Sequence, residues 1–314
     1  MIKIGIIGTS KISGQFADAV SKIEDCCIEV VCSRSVIKAE EFASKYGIEK
    51  VVTSLEELEK IESVNMIYIA SPNSLHCEQA IKFLKAKKHV LCEKPMGVTP
   101  KEIEDMFNAS KENGVCLMEA MKGTHLPNYK SIKENLHKVG QIRGFIGNFC
   151  QYSSRYTDLK NGILTNIFDP KFGGGAHLDI GVYPLYFAIS LFGMPKNSLK
   201  LNHLLSSGVP GIGSIALEYS DMIATIFYSK ITNSYIGSEI QGELGSIVID
   251  SISNINNVKI CYNNGEIEDI TIKQDENNMI YEIKEFIKMI EHNQLESLVN
   301  NYHVSQGVIS ILTK

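Results

Sequence analysis

No run in this 314-residue chain approaches the ~18–20 consecutive apolar residues of a membrane-spanning helix, so no such helix is expected. No basic tract occurs either. The 31 Lys and Arg are interspersed with 36 Asp and Glu for a net charge of −5, which argues against nucleic acid and anionic membrane surfaces as partners. Cys-x-x-Cys, His-x-x-x-His and mixed Cys/His clusters are absent, so no metal site is expected. Among the eight cysteines, Cys26 and Cys27 are adjacent, and Cys32, Cys92, Cys116 and Cys150 lie in strand-like runs. That distribution fits free buried thiols in a cytoplasmic protein better than disulfides. Met1 to Ile7 lacks a basic leader and a small-residue cleavage site, and reads as a buried strand, not a signal peptide. Internal repeats, low-complexity stretches and a Pro/Ser-rich linker are all missing, so closely packed domains are expected.

What is present is ample apolar material: 44% of residues are hydrophobic, enough for cores in two domains. The first third alternates short apolar runs with amphipathic stretches. IKIGII (2–7) reads as a strand, Gly8-Thr9-Ser10 as a turn, and Ile12 to Ile23 as a helix with Ile12, Phe16, Ala19, Val20 and Ile23 on one face. Strands at 28–32, 51–52, 66–70, 89–92 and 115–119 follow, separated by helices at 35–46, 55–61, 75–86 and 100–113, two of them closed by Gly47 and Gly114. This spacing implies right-handed crossovers and a parallel, doubly wound sheet over residues 1–120. Residues 121–314 instead carry alternating segments at 142–152, 214–219, 222–229, 234–241, 246–250, 258–262 and 267–272, which read as antiparallel strands. Asn263-Asn264-Gly265 suits a tight hairpin, and residues 129–139, 178–192 and 279–292 have helical periodicity. The helical pattern of 304–314 ends without a Gly or Pro stop, which leaves room for a further short tail.

Gly8-Thr9-Ser10 stands between the first strand and the first helix, where amides at a helix N-terminus attract a pyrophosphate. Its spacing departs from G-x-G-x-x-G, because Gly5 lies inside the strand. At the end of the second strand, an acidic residue would select an adenosine ribose with a free 2′-hydroxyl. Here Ser33-Arg34-Ser35 offers a guanidinium and two hydroxyls, which suit a 2′-phosphate, so NADP(H) is favoured and NAD(H) remains open. The run Lys88 to Cys92 then ends in Glu93-Lys94-Pro95, charge placed at a strand end where open α/β sheets bind ligands. Proline fixes the backbone after Lys94 and allows a cis bond.

GIIGTSKIS at the turn, YIASPNSLH (68–76), CEKP, MEAMKGTHLP (118–127) and GGGAHLDIGVYPL (173–185) occur in this order. Together they resemble the glucose-fructose oxidoreductase / inositol dehydrogenase / MocA family of NAD(P)-dependent oxidoreductases over nearly the whole chain. The resemblance implies an α/β plus α+β architecture: an N-terminal Rossmann domain and a C-terminal domain with a large, open, mostly antiparallel sheet. It places Gly8, Thr9, Ser10 and Ile12 at the pyrophosphate, Ser33 and Arg34 at the adenosine ribose, and Ser71, Asn73, His76 and Glu93 along the nicotinamide half. Lys94 matches the family's catalytic lysine. Asp179 and Tyr183 match its D-x-G-x-[HY] pair, with tyrosine where many relatives have histidine.

Residue chemistry agrees with these positions. Gly173, Gly174 and Gly175 permit a close turn into a helix beginning near Leu178, which puts Asp179 and Tyr183 on one face. Moving a hydride from a carbinol carbon requires a second group for the hydroxyl proton. A tyrosine with its ordinary pKa of ~10 becomes a usable base beside an ammonium, and Lys94 is the cation expected to provide it. The roles assigned are Lys94 polarising the substrate oxygen, Tyr183 exchanging the proton and Asp179 orienting substrate hydroxyls. A structural role is expected for His177 and Glu119, and surface or packing roles are at least as fitting for Lys122, His125, Arg155 and Tyr156.

These features point to an oxidoreductase acting on a secondary alcohol or carbonyl of a sugar, polyol or cyclic diol. A non-catalytic dinucleotide-binding regulator is the alternative, disfavoured by the retained Lys94 and Tyr183; reduction of an imine or tetrapyrrole on the same scaffold stays open. Segments such as GSIALEYS and MIATIFYS alternate apolar residues with small or polar ones and so are partly apolar on both faces, which predicts a homodimer or higher homo-oligomer through the C-terminal sheet.

Overall fold

Short buried strands alternate with amphipathic helices through the first 120 residues, and the computed structural model, which describes residues 1–314, shows the sheet they build. In chain order these are β1 (Ile2–Ile7), α1 (Lys11–Val20), β2 (Cys26–Cys32), α2 (Val36–Tyr46), β3 (Lys50–Val52), α3 (Leu55–Glu59), β4 (Met66–Ile69), α4 (His76–Lys85), β5 (His89–Glu93), α5 (Pro100–Asn113) and β6 (Leu117–Ala120). All neighbours pair parallel, in the order β3-β2-β1-β4-β5-β6. The order reverses at β1, so a crevice opens beyond the carboxyl ends of β1 and β4.

Helix limits follow local chemistry. Ser35 caps α2 by accepting from Lys38 N, and Gly47 ends it at φ 66°. Thr99 and Glu102 form a capping box on α5, with Pro100 in its first turn and Gly114 past its end. The core gathers Ile4, Ile6, Phe16, Val31, Tyr68, Leu91 and Met118. Met279, Ile280, Ile283, Phe286 and Ile287 join the same cluster from a later helix. Burial contributes ~1.5–3 kcal/mol for each such side chain, which accounts for this later segment folding with the first sheet. The first compact unit is therefore Met1–Met121 with Asp275–Tyr302, and the second is Lys122–Gln274 with His303–Lys314.

The second unit contains α6 (Pro127–Asn135), β7 (Ile142–Cys150), α7 (Ser154–Lys160), α8 (Val182–Phe192), β8 (Asn197–Leu204), β9 (Pro210–Glu218), β10 (Ile223–Ser229), β11 (Ser238–Gly242), β12 (Gly245–Ile249), β13 (Val258–Tyr262) and β14 (Ile267–Asp269). α9 (Met279–Glu291) is the helix that joins the first unit, and α10 (Tyr302–Thr313) ends the chain. Eight strands form one sheet in the order β14-β13-β12-β11-β7-β10-β9-β8. It is mostly antiparallel, but β7 and β10 pair parallel. The connection between them carries α8 and the β8–β9 hairpin, long enough to return the chain in the same direction. The hairpin expected at Asn263-Asn264-Gly265 is present, with Gly265 at φ 92° and its N–H donating to Tyr262 O. Strand β8 escapes sequence patterning because it is an edge strand whose leucines, Leu199 and Leu201, face outward among Asn, Ser, Lys and His.

Candidate active site

Gly8 closes the turn after β1 at φ 103°, and a Cβ there would lie 2.7 Å from Ala70 O, so the turns after β1 and β4 meet where only glycine fits. Its N–H donates to Cys32 O, while Ala70 N donates to Ile7 O, which ties three strand ends together. The N-terminus of α1 has neither a side-chain cap at Ser10 nor an acidic residue in its first turn. Its amides, beside Thr9, Ser10 and Ile12, therefore face no acidic side chain of that turn. At the end of β2, Ser33 Oγ accepts from Ser35 N at 3.3 Å, and Arg34 is exposed.

The turn after β4 begins at Ser71, whose Oγ donates to Gln79 Oε1 at 2.7 Å, and continues through Asn73 to His76. His76 is buried, with Nδ1 2.9 Å from Pro95 O and Nε2 2.8 Å from Ser71 O. Burial pushes its pKa down, and the two carbonyls oppose that by favouring a doubly protonated ring. The imidazole links the turn after β4 to the turn after β5. On that second turn, Glu93 Oε1 accepts from Tyr68 Oη at 2.5 Å and Oε2 from Lys94 N at 3.2 Å. Tyr68 is itself stacked on Phe16 with ring centroids 3.7 Å apart, and burial with the Glu93 charge pushes its phenol well above the usual range. The Lys94-Pro95 peptide is cis. Met96 N donates to Glu119 Oε1 at 2.9 Å and Val98 N to Glu102 Oε2 at 2.6 Å. Lys94 thus projects from a loop braced at Glu93, Pro95, Met96 and Val98. The bracing role of Tyr68 is invisible in sequence because its partner is 25 residues away on another strand.

In the second unit, Gly173 (φ 66°) and Gly175 (φ 118°) flank Gly174, where a Cβ would sit 2.8 Å from the carbonyl oxygens of Asn166, Ile167 and Asp169. The helix expected to start near Leu178 starts instead as a π-turn, His177–Gly181, before α8. Such wider turns recur at functional sites and slow the rotation per residue, so Asp179 and Tyr183, four apart, still share one side. Val182, Leu185 and Tyr186 are fully buried whereas Tyr183 is partly exposed, which sets it off the core stripe of α8. Phe149 meets its ring edge-on at 5.5 Å. Asp179 Oδ2 accepts from Lys230 Nζ at 2.5 Å. Lys230 follows β10 and was not foreseen; the available signal was a charged residue ending the apolar alternation of IATIFYS, the same signal that marks Lys94.

The remaining candidates are buried or have partners of their own. Burial pushes His125 to a pKa of about 3 and His177 to about 4, so both rings are neutral near pH 7. Lys122 Nζ donates to Asn254 Oδ1, Arg155 pairs with Asp158, and Tyr156 packs against Tyr152 and Phe168. All eight cysteines are free thiols, and no helix is long and apolar enough to cross a membrane.

A 3-2-1-4-5-6 parallel sheet with a glycine turn at its reversal point and charged loops beyond its strand ends defines a dinucleotide-binding oxidoreductase domain. Comparison with known proteins agrees. Residues 2–121 match the model of the oxidoreductase family with an NAD-binding Rossmann fold, and residues 135–248 match the GFO/IDH/MocA C-terminal domain. Over 312 residues the chain is 45% identical to scyllo-inositol 2-dehydrogenase (NADP(+)) IolU of Bacillus subtilis, covering 99% of this chain and 95% of that one. It is 30% identical over 238 residues to the trans-1,2-dihydrobenzene-1,2-diol dehydrogenase of Mus musculus, covering 74% and 69%. Among solved structures, levoglucosan dehydrogenase with NADH and levoglucosan superposes with a TM-score of 0.89 at 19% identity, covering 99% and 95%. The 3-ketoreductase KijD10 of Actinomadura kijaniata with NADP and TDP-benzene gives 0.88 at 23%, covering 99% and 97%. These two establish shared fold. The chain belongs to the GFO/IDH/MocA family and is an NAD(P)-dependent dehydrogenase or reductase.

Proposed function

We propose that the protein interconverts a secondary alcohol of a cyclic polyol or sugar with its carbonyl, using NADP(H) in preference to NAD(H). The observation that carries this is the near full-length relationship to an NADP+-dependent scyllo-inositol dehydrogenase, in a chain that has Lys94 on a braced loop and Asp179 and Tyr183 on one helical face. Gly8, Thr9, Ser10 and Ile12 receive the pyrophosphate, and Ser33 and Arg34 the 2′-phosphate. Ser71, Asn73, His76 and Glu93 shape the wall for the nicotinamide half. When bound, the nicotinamide would supply the hydride acceptor for oxidation of the carbinol carbon and the hydride donor for reduction of the carbonyl. Lys94 donates a hydrogen bond to the substrate oxygen. Tyr183 accepts the hydroxyl proton as the carbonyl forms and gives it back in the reverse direction, and Asp179 accepts hydrogen bonds from neighbouring hydroxyls.

The test is NADP+ reduction with scyllo-inositol and a panel of sugars and cyclic diols, followed by nicotinamide absorbance. Lys94→Ala and Tyr183→Phe should each lower turnover ~10²–10⁴-fold, the range for a lost proton-transfer group, with NADPH affinity kept. Near-wild-type rates in both would remove them from the mechanism. Tight NADPH binding with no turnover across the panel would favour the regulator instead.

We further propose a homodimer or higher oligomer through the outer face of the eight-stranded sheet, in the cytoplasm, where the free thiols stay reduced. On that face Leu199, Ala216, Thr225 and Ile146 stand opposite one another across four strands. Leu201, Ile223 and Phe227 extend the exposed apolar patch. A monomeric mass in solution at micromolar protein would refute this assembly.

A further inference from the structure

We infer that Lys230 is the positioning residue for Asp179, holding its carboxylate aimed so that it can accept a substrate hydroxyl; this rests on the role proposed above for Asp179. Three observations support it. Lys230 Nζ donates to Asp179 Oδ2 at 2.5 Å, with the lysine side chain only 10% exposed and the aspartate 26%. The lysine backbone is pinned on both sides: its N–H donates to Gly211 O and its carbonyl accepts from Ser153 N, each at 2.9 Å. The residue before it, Ser229, is fully buried and its Oγ accepts from Ile231 N, Thr232 N and Thr232 Oγ1. The end of β10 is therefore a rigid mount.

The π-turn carrying Asp179 lies close against the same strand, since a Cβ on Gly181 would come within 2.9 Å of the Tyr228 ring. That approach places the carboxylate within reach of the strand-end lysine. A buried ammonium is a poor device for stability, because desolvating the two charges costs several kcal/mol and a well-packed apolar residue serves as well or better. It is a good device for orientation. A charge-assisted hydrogen bond from a fixed donor restricts the carboxylate, on a turn whose geometry is already irregular, to one direction.

Steady-state kinetics with scyllo-inositol would test this on Lys230→Met, Lys230→Arg, Asp179→Asn and the Lys230→Met/Asp179→Asn double variant, with NADPH titration and melting temperature recorded for each. Lys230→Met should raise KM ~10–100-fold with a smaller effect on kcat and unchanged NADPH affinity, the size expected when a charge-assisted hydrogen bond no longer orients the binding group. Lys230→Arg should recover most of the loss. The double variant should be no worse than the poorer single one, because both remove the same oriented acceptor. If Lys230→Met lowers the melting temperature and leaves KM unchanged while Asp179→Asn raises it, Lys230 is structural and the inference falls. Additive losses in the double variant would also overturn it. If Asp179→Asn is itself silent, the failure lies with the role of Asp179. Should Lys230→Met not fold, the arginine variant decides: KM must then stay near wild type while Asp179→Asn is impaired, and a loss as large as that of Asp179→Asn would sink the inference.

Discussion

Replacing Gly8 by alanine probes the turn proposed to receive the cofactor. At φ 103° an L-residue is outside even the left-handed helical well, a strain of about 1–3 kcal/mol. The new Cβ would also stand 2.7 Å from Ala70 O, where 3.4 Å is ordinary contact, and the obstacle is backbone that cannot rotate away. Relieving such overpacking costs about 1–3 kcal/mol more, for a total of about 2–6 kcal/mol. Gly47→Ala is the matched control: φ is 66°, no atom lies within 4 Å of the added Cβ, and only the left-handed strain of about 1–2 kcal/mol applies. Urea unfolding should therefore rank wild type above Gly47→Ala above Gly8→Ala. NADPH fluorescence titration should separate them further. Gly47→Ala should bind as wild type, whereas a displaced turn that forfeits about 2 kcal/mol of binding weakens affinity about 30-fold. Equal stability and equal affinity in the two variants would refute the close approach of the turns after β1 and β4. Destabilisation with normal NADPH binding would instead show that the cofactor does not use this turn.

Arg34→Ala should weaken NADPH by about 10–100-fold, the loss of a charge-assisted hydrogen bond of about 1.5–3 kcal/mol, with little change for NADH; equal weakening in paired titrations would mean contact only with the shared adenosine. His125 is held neutral in the folded protein down to about pH 3, whereas the unfolded ring takes up a proton below about pH 6.5. Stability is therefore lost as pH falls through that window, and melting curves of His125→Gln should show a shallower decline than wild type. An unchanged slope would contradict burial of the ring as the cause. Thr99→Ala removes the capping box of α5 and should cost about 1 kcal/mol of stability, read as a lower urea midpoint at unchanged slope, with NADPH affinity intact.

Much of the first unit was legible because its determinants are local. Runs such as IKIGII and MIYI can be buried strands wherever they fall, Ser35 and Thr99 cap the helices that follow them, and Gly47 and Gly114 end those helices by a backbone conformation that side chains resist. Charge at a strand end exposed Lys94 and Glu93 in the same way. The second sheet was legible as strands but not as pairings. Nothing local in GFIGNFC or IATIFYS says that β7 and β10 run parallel, since that follows from the path of a long connection. β8 was hidden because an edge strand can turn its leucines outward without forming a recognisable buried face.

The residues that hold the site still are those that only tertiary structure could supply. Tyr68 on Glu93, His76 across Ser71 and Pro95, and Lys230 on Asp179 are contacts over separations from five to 51 residues, each made by a polar group brought into low-dielectric surroundings. The sequence by itself determined the family, the sheet of the first unit and the chemical types available at its strand ends, because hydrophobic period, caps and glycine turns act within a few residues. Folding decided the π-turn under Asp179, the passage of residues 275–302 into the first unit and the lysine that pairs with Asp179. Those depend on which buried surfaces and charges meet, and that is set by packing across the whole chain.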